Sequence, residues 1–236
     1  MSDPAVPGSI NFREVVGIPA TSGVVRPGVL FRSGNLAGLD DAGVRAIAEL
    51  GIRQVIDLRA DDEVTRDPSR VPESATIQRV PIFLGSVSSF FSSDVSLTGL
   101  YRAMITESGE RIVQVIRALI ADRPAVVHCT VGKDRTGVSV ALILAAVGAE
   151  EDAIVADYAR TEALLPEERN RQVLARLRAA HPEAQHLADL ATRSPAPVMR
   201  EFLAWVREQY GSVPEYLAGH GLTEAELIEL RDVLVT

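Results

Sequence analysis

The stretch that most constrains the fold is the β-branched run Ala125-Val126-Val127-His128, which passes directly into Cys129, a short turn through Gly132 and a strongly apolar helix opening near Asp134. A strand, a tight glycine turn and a helix in immediate succession are how a doubly wound α/β sheet presents an anion-sized site at its strand ends. The run is short and does not alternate, the pattern of a strand covered on both faces. Cys129 is the only cysteine and Lys133 the only lysine, against 23 arginines. One thiol forms no intramolecular disulfide and no zinc cluster, so an apolar core must hold the chain. With 236 residues, 47% of them apolar, the chain is long enough for a domain of this size to bury roughly 70% of its unfolded surface.

The first half reads as mixed β and α. Residues 29–32, 52–58 and 76–82 read as strands, and 40–50 as a helix capped by Asp40 or Asp41. Residues 85–96 hold six serines around Phe90 and Phe91, a loop beside a site or simply a solvated one. From Leu100 the spacing is helical, most clearly where Ile112, Val115, Ile116 and Leu119 share a face. Helices over 152–165, 167–180 and 197–210, and two opened by Ser212-x-x-Glu215 and Thr223-x-x-Glu226, fill the last third. No repeat or linker divides the chain. Residues 1–236 therefore read as one domain, with a core over about 1–150 and helices over about 151–236 that pack on the sheet or cover a pocket.

The net charge of −8 argues against a nucleic-acid or anionic-membrane partner, which needs a basic face. An anion site must then be small and focused. The most apolar stretch, residues 138–147, is ten residues long and contains Ser139, whereas a span needs about twenty. No stable membrane insertion is expected. With no basic and apolar leader at the start, the expected location is cytoplasmic by default, with export by a route lacking such a signal left open. Oligomeric state is not legible.

The chemistry lies in His128-Cys129-Thr130-Val131-Gly132-Lys133-Asp134-Arg135-Thr136-Gly137. Cleaving a phosphate monoester with a thiol requires a thiolate, donors for the phosphoryl oxygens, a bidentate cation and a way for sulfur to leave. A cysteine followed by five residues and an arginine meets these needs if the loop curls so that its N–H groups point inward. Those dipoles and the helix N-terminus favour thiolate over thiol. Arg135 supplies a planar fork that lysine cannot reproduce. Gly132 permits the unusual backbone, Thr130, Val131, Gly132 and Lys133 frame the phosphate, and Thr136 can hydrogen-bond to sulfur. A lone cysteine at a strand end is more often a buried small hydrophobe, but His128, Gly132, Thr136, Gly137 and the strand-to-helix context together favour the functional reading.

This loop resembles the signature of cysteine-dependent protein tyrosine phosphatases. Its Gly-Lys-Asp-Arg-Thr-Gly ending is similar to bacterial tyrosine and dual-specificity phosphatases, including secreted mycobacterial and listerial enzymes. Asn11-Phe12-Arg13-Glu14, Arg26 to Ser33, Asp57-Leu58-Arg59, Ile154 to Tyr158 and the region from Tyr210 to Leu217 extend the resemblance over nearly the whole chain. It implies an α/β cysteine-phosphatase fold, with a central, mostly parallel sheet of four or five strands flanked by helices and some C-terminal helices forming a lid. It also implies a Cys129 nucleophile passing through a phosphocysteine, an Arg135 phosphate ligand, and Arg13, Arg32 and Arg59 lining the pocket. The expected substrate is a phosphotyrosine-containing protein, with phosphoserine, phosphothreonine and phosphoinositides as further candidates, and inorganic phosphate is the product. No cofactor or metal is implied.

Lys133 is an added cationic donor that can reach a second anionic group, the feature that brings phosphoinositides into consideration. The general acid departs from the family pattern. Members often carry an aspartate just beyond the strand matched here by Val80-Pro81-Ile82-Phe83, but Leu84 and Gly85 follow. Asp134 is the preferred substitute, with Asp94 and Asp57 behind it; Asp57 equally suits a structural partner for an arginine. His128 is expected to support the loop through backbone rather than act as a base. Phe90, Phe91 and Tyr158 are candidates to meet an aromatic substrate ring, with core packing favoured for Tyr158. Two rivals stand beside this reading: a pseudophosphatase that captures phospho-ligands without turnover, and a rhodanese-like sulfurtransferase.

Overall fold

The computed structural model describes residues 3–82 and 95–236, so Leu84, Gly85, Phe90, Phe91 and Asp94 lie outside the described residues. The described strands are β1 Arg13–Glu14, β2 Pro19–Ala20, β3 Gly23–Val24, β4 Leu30–Ser33, β5 Gln54–Asp57, β6 Thr76–Arg79 and β7 Ala125–His128. Strand β7 occupies the middle of a five-stranded sheet of order β1-β4-β7-β5-β6, while β2 and β3 form a separate hairpin. β7 runs parallel to both β4 and β5, β6 adds parallel to β5, and β1 alone is antiparallel. The mostly parallel α/β sheet expected from the sequence is thus present.

Every residue of β4, β5 and β7 is buried, as the unalternating run over 125–128 implies for strands covered on both faces. The period of two still sorts the side chains. Val126, Phe31 and Val55 join Leu36, Leu39 and Ile47 on one face, whereas Val127, Leu30 and Ile56 join the main core on the other. Edge strand β6 is exposed along its length. The chain continues past it as an irregular ladder, with Val80 and Ile82 donating to the carbonyls of Asp57 and Leu58.

The described helices are α1 Asp41–Glu49, α2 Asp61–Arg66, α3 Leu97–Ala121, α4 Asp134–Ala146, α5 Glu151–Leu164, α6 Glu167–Ala180, α7 Leu187–Thr192, α8 Ala196–Tyr210, α9 Val213–Gly219 and α10 Glu224–Leu234. Asp40 caps α1 through its side chain, and Thr223 with Glu226 forms the anticipated capping box of α10. Helix α4 is buried almost throughout, lying between the sheet and α3, α5 and α9. Two short helices escape a reading of periodicity. α2 buries no residue at all, and α7 is only six residues long, so neither carries enough apolar repeat to register. No helix among the described residues is long and apolar enough to cross a membrane.

Candidate active site

The in-register ends of three parallel strands build the floor of the site. Ser33 of β4 and Asp57 of β5 both pair with His128 of β7, so the strands end level and Cys129 is the first residue beyond them. This is the carboxyl-end crevice where open α/β sheets bind ligands. Gly132 then turns the chain at φ +72°, and a Cβ there would lie 2.4 Å from the Ser33 carbonyl oxygen. Only glycine fits that turn without displacing backbone. The Gly132 N–H points inward and donates to Cys129 Sγ at 3.3 Å.

The backbone on both sides of Gly132 is held from behind. The Gly132 carbonyl accepts from Asn11 Nδ2 at 2.9 Å and from Arg32 Nη2 at 3.0 Å. Asn11 Nδ2 also reaches the Val131 carbonyl at 3.3 Å, and because that carbonyl shares a peptide plane with the Gly132 N–H, holding it outward keeps the N–H turned inward. Asn11 can do this from a left-handed backbone, φ 57°, that asparagine tolerates better than most residues.

Arg13 and Arg32 are buried side chains that share one carboxylate. Arg13 Nε lies 2.8 Å from Asp157 Oδ1 and Arg32 Nη1 2.5 Å from Asp157 Oδ2. Burial alone would raise the Asp157 carboxyl, but the two guanidinium groups outweigh it and hold it below the usual range. Arg13 also donates to Asn11 and to Thr161 Oγ1. The expectation that Arg13 and Arg32 line the pocket is therefore corrected: they stand behind the loop, because a buried carboxylate on α5 captures them.

Arg59 behaves similarly. Its Nε and Nη2 lie 2.9 and 2.7 Å from the two oxygens of Asp57, and further bonds run to Asn35, Ser69 and the Asp67 carbonyl. Both Asp57 and Arg59 are 1% exposed. Burial pushes the Asp57 carboxyl upward, but hydrogen bonds from Arg59 prevail and keep it below the ordinary value. A buried carboxylate so engaged has no proton to give, so Asp57 is the arginine's partner and not a candidate acid. Burial lowers the His128 imidazole to about 4 despite the nearby Asp57 charge. Neutral at pH 7, it sits with Nδ1 3.4 Å from the Cys129 carbonyl, the supporting position expected for it.

Arg135 occupies the first turn of α4 and finds a partner on α2. Its Nη1 and Nη2 lie 2.6 and 2.8 Å from the two oxygens of Glu63. Thr130 Oγ1 donates to the same carboxylate, and the Ala60 N–H adds a fourth bond at 2.9 Å. Burial would raise Glu63, but Arg135 leads a set of donors that brings it down to about 2. Burial likewise opposes the Arg135 charge, and Glu63 and Cys129 override it, so the guanidinium is shifted upward. Glu63 takes both terminal nitrogens and Nη2 also donates to Thr130 Oγ1 at 3.2 Å, which leaves the Nε–H alone without an acceptor among the described residues. Glu63 is the functional residue that sequence reasoning missed. Its one signal was a glutamate at the third position of an acidic first turn, which reads as ordinary helix capping.

Lys133 and Asp134 complete the loop. Lys133 is 1% exposed, with Nζ 2.7 Å from Asp134 Oδ1 and 3.1 Å from the Asp189 carbonyl of α7. Seated beneath α7, its ammonium is taken up by Asp134 and the Asp189 carbonyl, in place of the open donor expected from sequence. Asp134 retains 22% exposure and also accepts from the Tyr101 hydroxyl at 2.8 Å. Tyr158, buried against Tyr101, belongs to the core as favoured. Thr136 Oγ1 is buried with no hydrogen-bond partner among the described residues, so the sulfur's neighbour here is the Gly132 N–H rather than that hydroxyl. Thr130 and Val131 are partly exposed at the mouth. Asp94 lies outside the described residues.

Residues 4–236 match the tyrosine phosphatase family. The chain is similar to the triple specificity protein phosphatase PtpB of Mycobacterium tuberculosis, 33% identical over 275 residues covering 98% of each chain. It is also similar to the tyrosine-protein phosphatase of Nostoc commune, 28% identical over 225 residues, covering 90% of this chain and 76% of that one. Among solved structures, TpbA of P. aeruginosa aligns with 77% of this chain and 89% of its own, at 16% identity and a TM-score of 0.40.

Proposed function

Because the chain belongs to the tyrosine phosphatase family, we propose that it hydrolyses phosphotyrosine in proteins through a covalent phosphocysteine on Cys129. The observation that carries this reading is the inward turn of the loop at Gly132. The Gly132 N–H lies against the Cys129 sulfur while the carbonyls of Val131 and Gly132 are tied back by Asn11 and Arg32, which is the curl an anion-binding thiolate loop needs.

In the first step the Cys129 thiolate attacks phosphorus in line. The sulfur–phosphorus bond forms as the bond to the leaving phenolic oxygen breaks. Charge on the equatorial oxygens is met by the inward Gly132 N–H and by Arg135, whose Nε–H is free and whose Nη2 exchanges the Thr130 hydroxyl for a phosphoryl oxygen, donors already in place before the reaction. Asp134 passes its proton to the leaving oxygen, a contribution of typically 10²–10⁴ in rate. In the second step water attacks phosphorus, its proton returns to Asp134, and the thiolate departs with inorganic phosphate as product. Asp134 is favoured over Asp57 because it is the more exposed and is not enclosed by a bidentate arginine.

Phosphotyrosine is placed ahead of phosphoinositides because Lys133, the donor that would read a second anionic group, is paired with Asp134 beneath α7. The name of the mycobacterial relative, a triple specificity protein phosphatase, supports an activity not confined to one class of phosphoester.

The test is p-nitrophenyl phosphate hydrolysis by Cys129→Ser. Loss of turnover, together with an acid-stable phosphoenzyme on rapid quench of the wild type, is the expected result. Wild-type rates from the serine variant would overturn the mechanism. A single burst without steady turnover in the wild type would instead favour the pseudophosphatase reading. Initial rates on phosphotyrosine, phosphoserine and phosphoinositide panels decide the substrate class.

A further inference from the structure

Tyr101 and Tyr158 are both buried, at 0% and 1% exposure, and their hydroxyls lie 2.7 Å apart. Buried tyrosine hydroxyls ordinarily find a partner, and here the pair leads out to the site. The Tyr101 hydroxyl donates to Asp134 Oδ1 at 2.8 Å. Each phenol has one proton to give, so Tyr158 must donate to the Tyr101 oxygen. The chain therefore runs in one direction, from Tyr158 on α5 through Tyr101 on α3 to Asp134 at the start of α4. Burial, followed by the Asp134 charge, raises both phenols well above the ordinary tyrosine value, so both remain protonated donors.

We infer that Tyr101 and Tyr158 are positioning residues for the acid step, loading Asp134 Oδ1 so that the transferable proton resides on Oδ2. Oδ1 already receives two donors, the Tyr101 hydroxyl and the Lys133 ammonium. A protonated Asp134 carries its hydrogen on the other oxygen, since a third donor on Oδ1 has no room. After transfer to the leaving oxygen the carboxylate is the charged form, and the same two donors stabilise it. The tyrosines thereby aim the acid and hold the carboxylate it leaves behind.

Ring packing makes the aim rigid. Tyr101 lies edge-on to Tyr158 and to Phe202, with centroids 6.1 and 5.9 Å away. Gly137, one turn along α4, brings α5 close enough for this, since a Cβ there would lie 3.0 Å from the Tyr158 ring. The charged and titratable groups facing Asp134 are Lys133 and Tyr101 in direct contact, Arg135 on its own helix, and Tyr158 one bond further. Arg32 and Glu162 in turn face Tyr158.

The inference rests on Asp134 as the acid, and the experiment separates the two. The kcat pH profiles of Tyr101→Phe, Tyr158→Phe, Asp134→Asn and Tyr101→Phe/Asp134→Asn are measured with phenyl phosphate and with p-nitrophenyl phosphate, each variant's folding being checked by its thermal transition. Removing a donor to the charged form weakens the acid, so in Tyr101→Phe the basic limb should move upward by about one pH unit, the scale of one charge-assisted hydrogen bond. The slower phenyl ester should lose about tenfold more than the activated nitrophenyl ester, because it depends more on protonation. Tyr158→Phe should shift the limb in the same direction by less. The double variant should match Asp134→Asn alone, the non-additivity of residues acting through one group.

If Asp134→Asn keeps the limb and the ester discrimination of the wild type, the assignment of the acid fails. If Asp134→Asn removes both while each folded phenylalanine variant keeps the wild-type limb and discrimination, the inference about the tyrosines fails by itself. Losses that add in the double variant also overturn it, since they would mark a structural role.

Discussion

At the scale of single residues, what the site requires is orientation more than charge. Twenty-three arginines offer many cations, but Arg135 is distinguished by a carboxylate that grips both terminal nitrogens. Glu63 is itself fixed by the Ala60 N–H and Thr130, so the guanidinium plane is set before any phosphate arrives. Glu63→Gln keeps the shape and removes the charge. We expect kcat/KM on p-nitrophenyl phosphate to fall by roughly 10–100-fold, the range associated with slight misplacement of a binding group, with weaker inhibition by vanadate. Unchanged or tighter vanadate binding would show that Glu63 competes with phosphate instead of orienting its ligand. The sulfur's setting follows the same logic, because Gly132 supplies an N–H rather than a side chain.

Among the elements, α5 does more than cover the sheet. Its adjacent residues Asp157 and Tyr158 reach the phosphate loop from two directions, one through Arg32 to the Gly132 carbonyl and the other through Tyr101 to Asp134. The Asp157 link is also a stability element, since it neutralises two buried guanidinium groups at once. Removing one partner of a buried ionic cluster strands the others, so Asp157→Asn should cost roughly 3–5 kcal/mol. Urea unfolding measures this against Arg160→Ala, whose half-exposed pairing with Asp3 should be worth less than about 1 kcal/mol. Equal costs for the two variants would refute the role assigned to Asp157. Helix α7 makes a different kind of contact, a single carbonyl on the Lys133 ammonium.

For the molecule as a whole, the groups clustered at the carboxyl ends of the strands set its response to acid. His128 titrates at about 4 in the fold, against about 6.5 when unfolded. Between those values the unfolded chain binds the extra proton, so stability rises with pH across that window and is lost on acidification. The histidine alone accounts for about 3 kcal/mol over that range. Glu63, held at about 2, and Asp57 and Asp157, both held low, add a second loss. Their contribution is complete above the unfolded carboxylate values near 4 and falls away as pH drops through the folded ones. Urea midpoints should therefore decline steadily from pH 7 to pH 4.5, and His128→Gln should flatten that decline. An unchanged midpoint across the interval in the wild type would contradict it. By itself the sequence determined what is local: a strand ending at Cys129, a turn that only glycine satisfies at Gly132, and an arginine six residues on at the start of a buried helix. These are legible because the chemistry fits within one turn of consecutive chain and because periodicity reports which faces are buried. Tertiary structure alone decided the partners, since Glu63 meets Arg135 across 72 positions, Asp157 meets Arg13 across 144 and Tyr101 meets Asp134 across 33. Among 32 acidic residues and 23 arginines, no local pattern names the pair. The choice follows from which strand ends and helix faces the packed core brings within hydrogen-bonding distance, which turned Arg13 and Arg59 from pocket residues into buried supports and hid the only lysine beneath a helix.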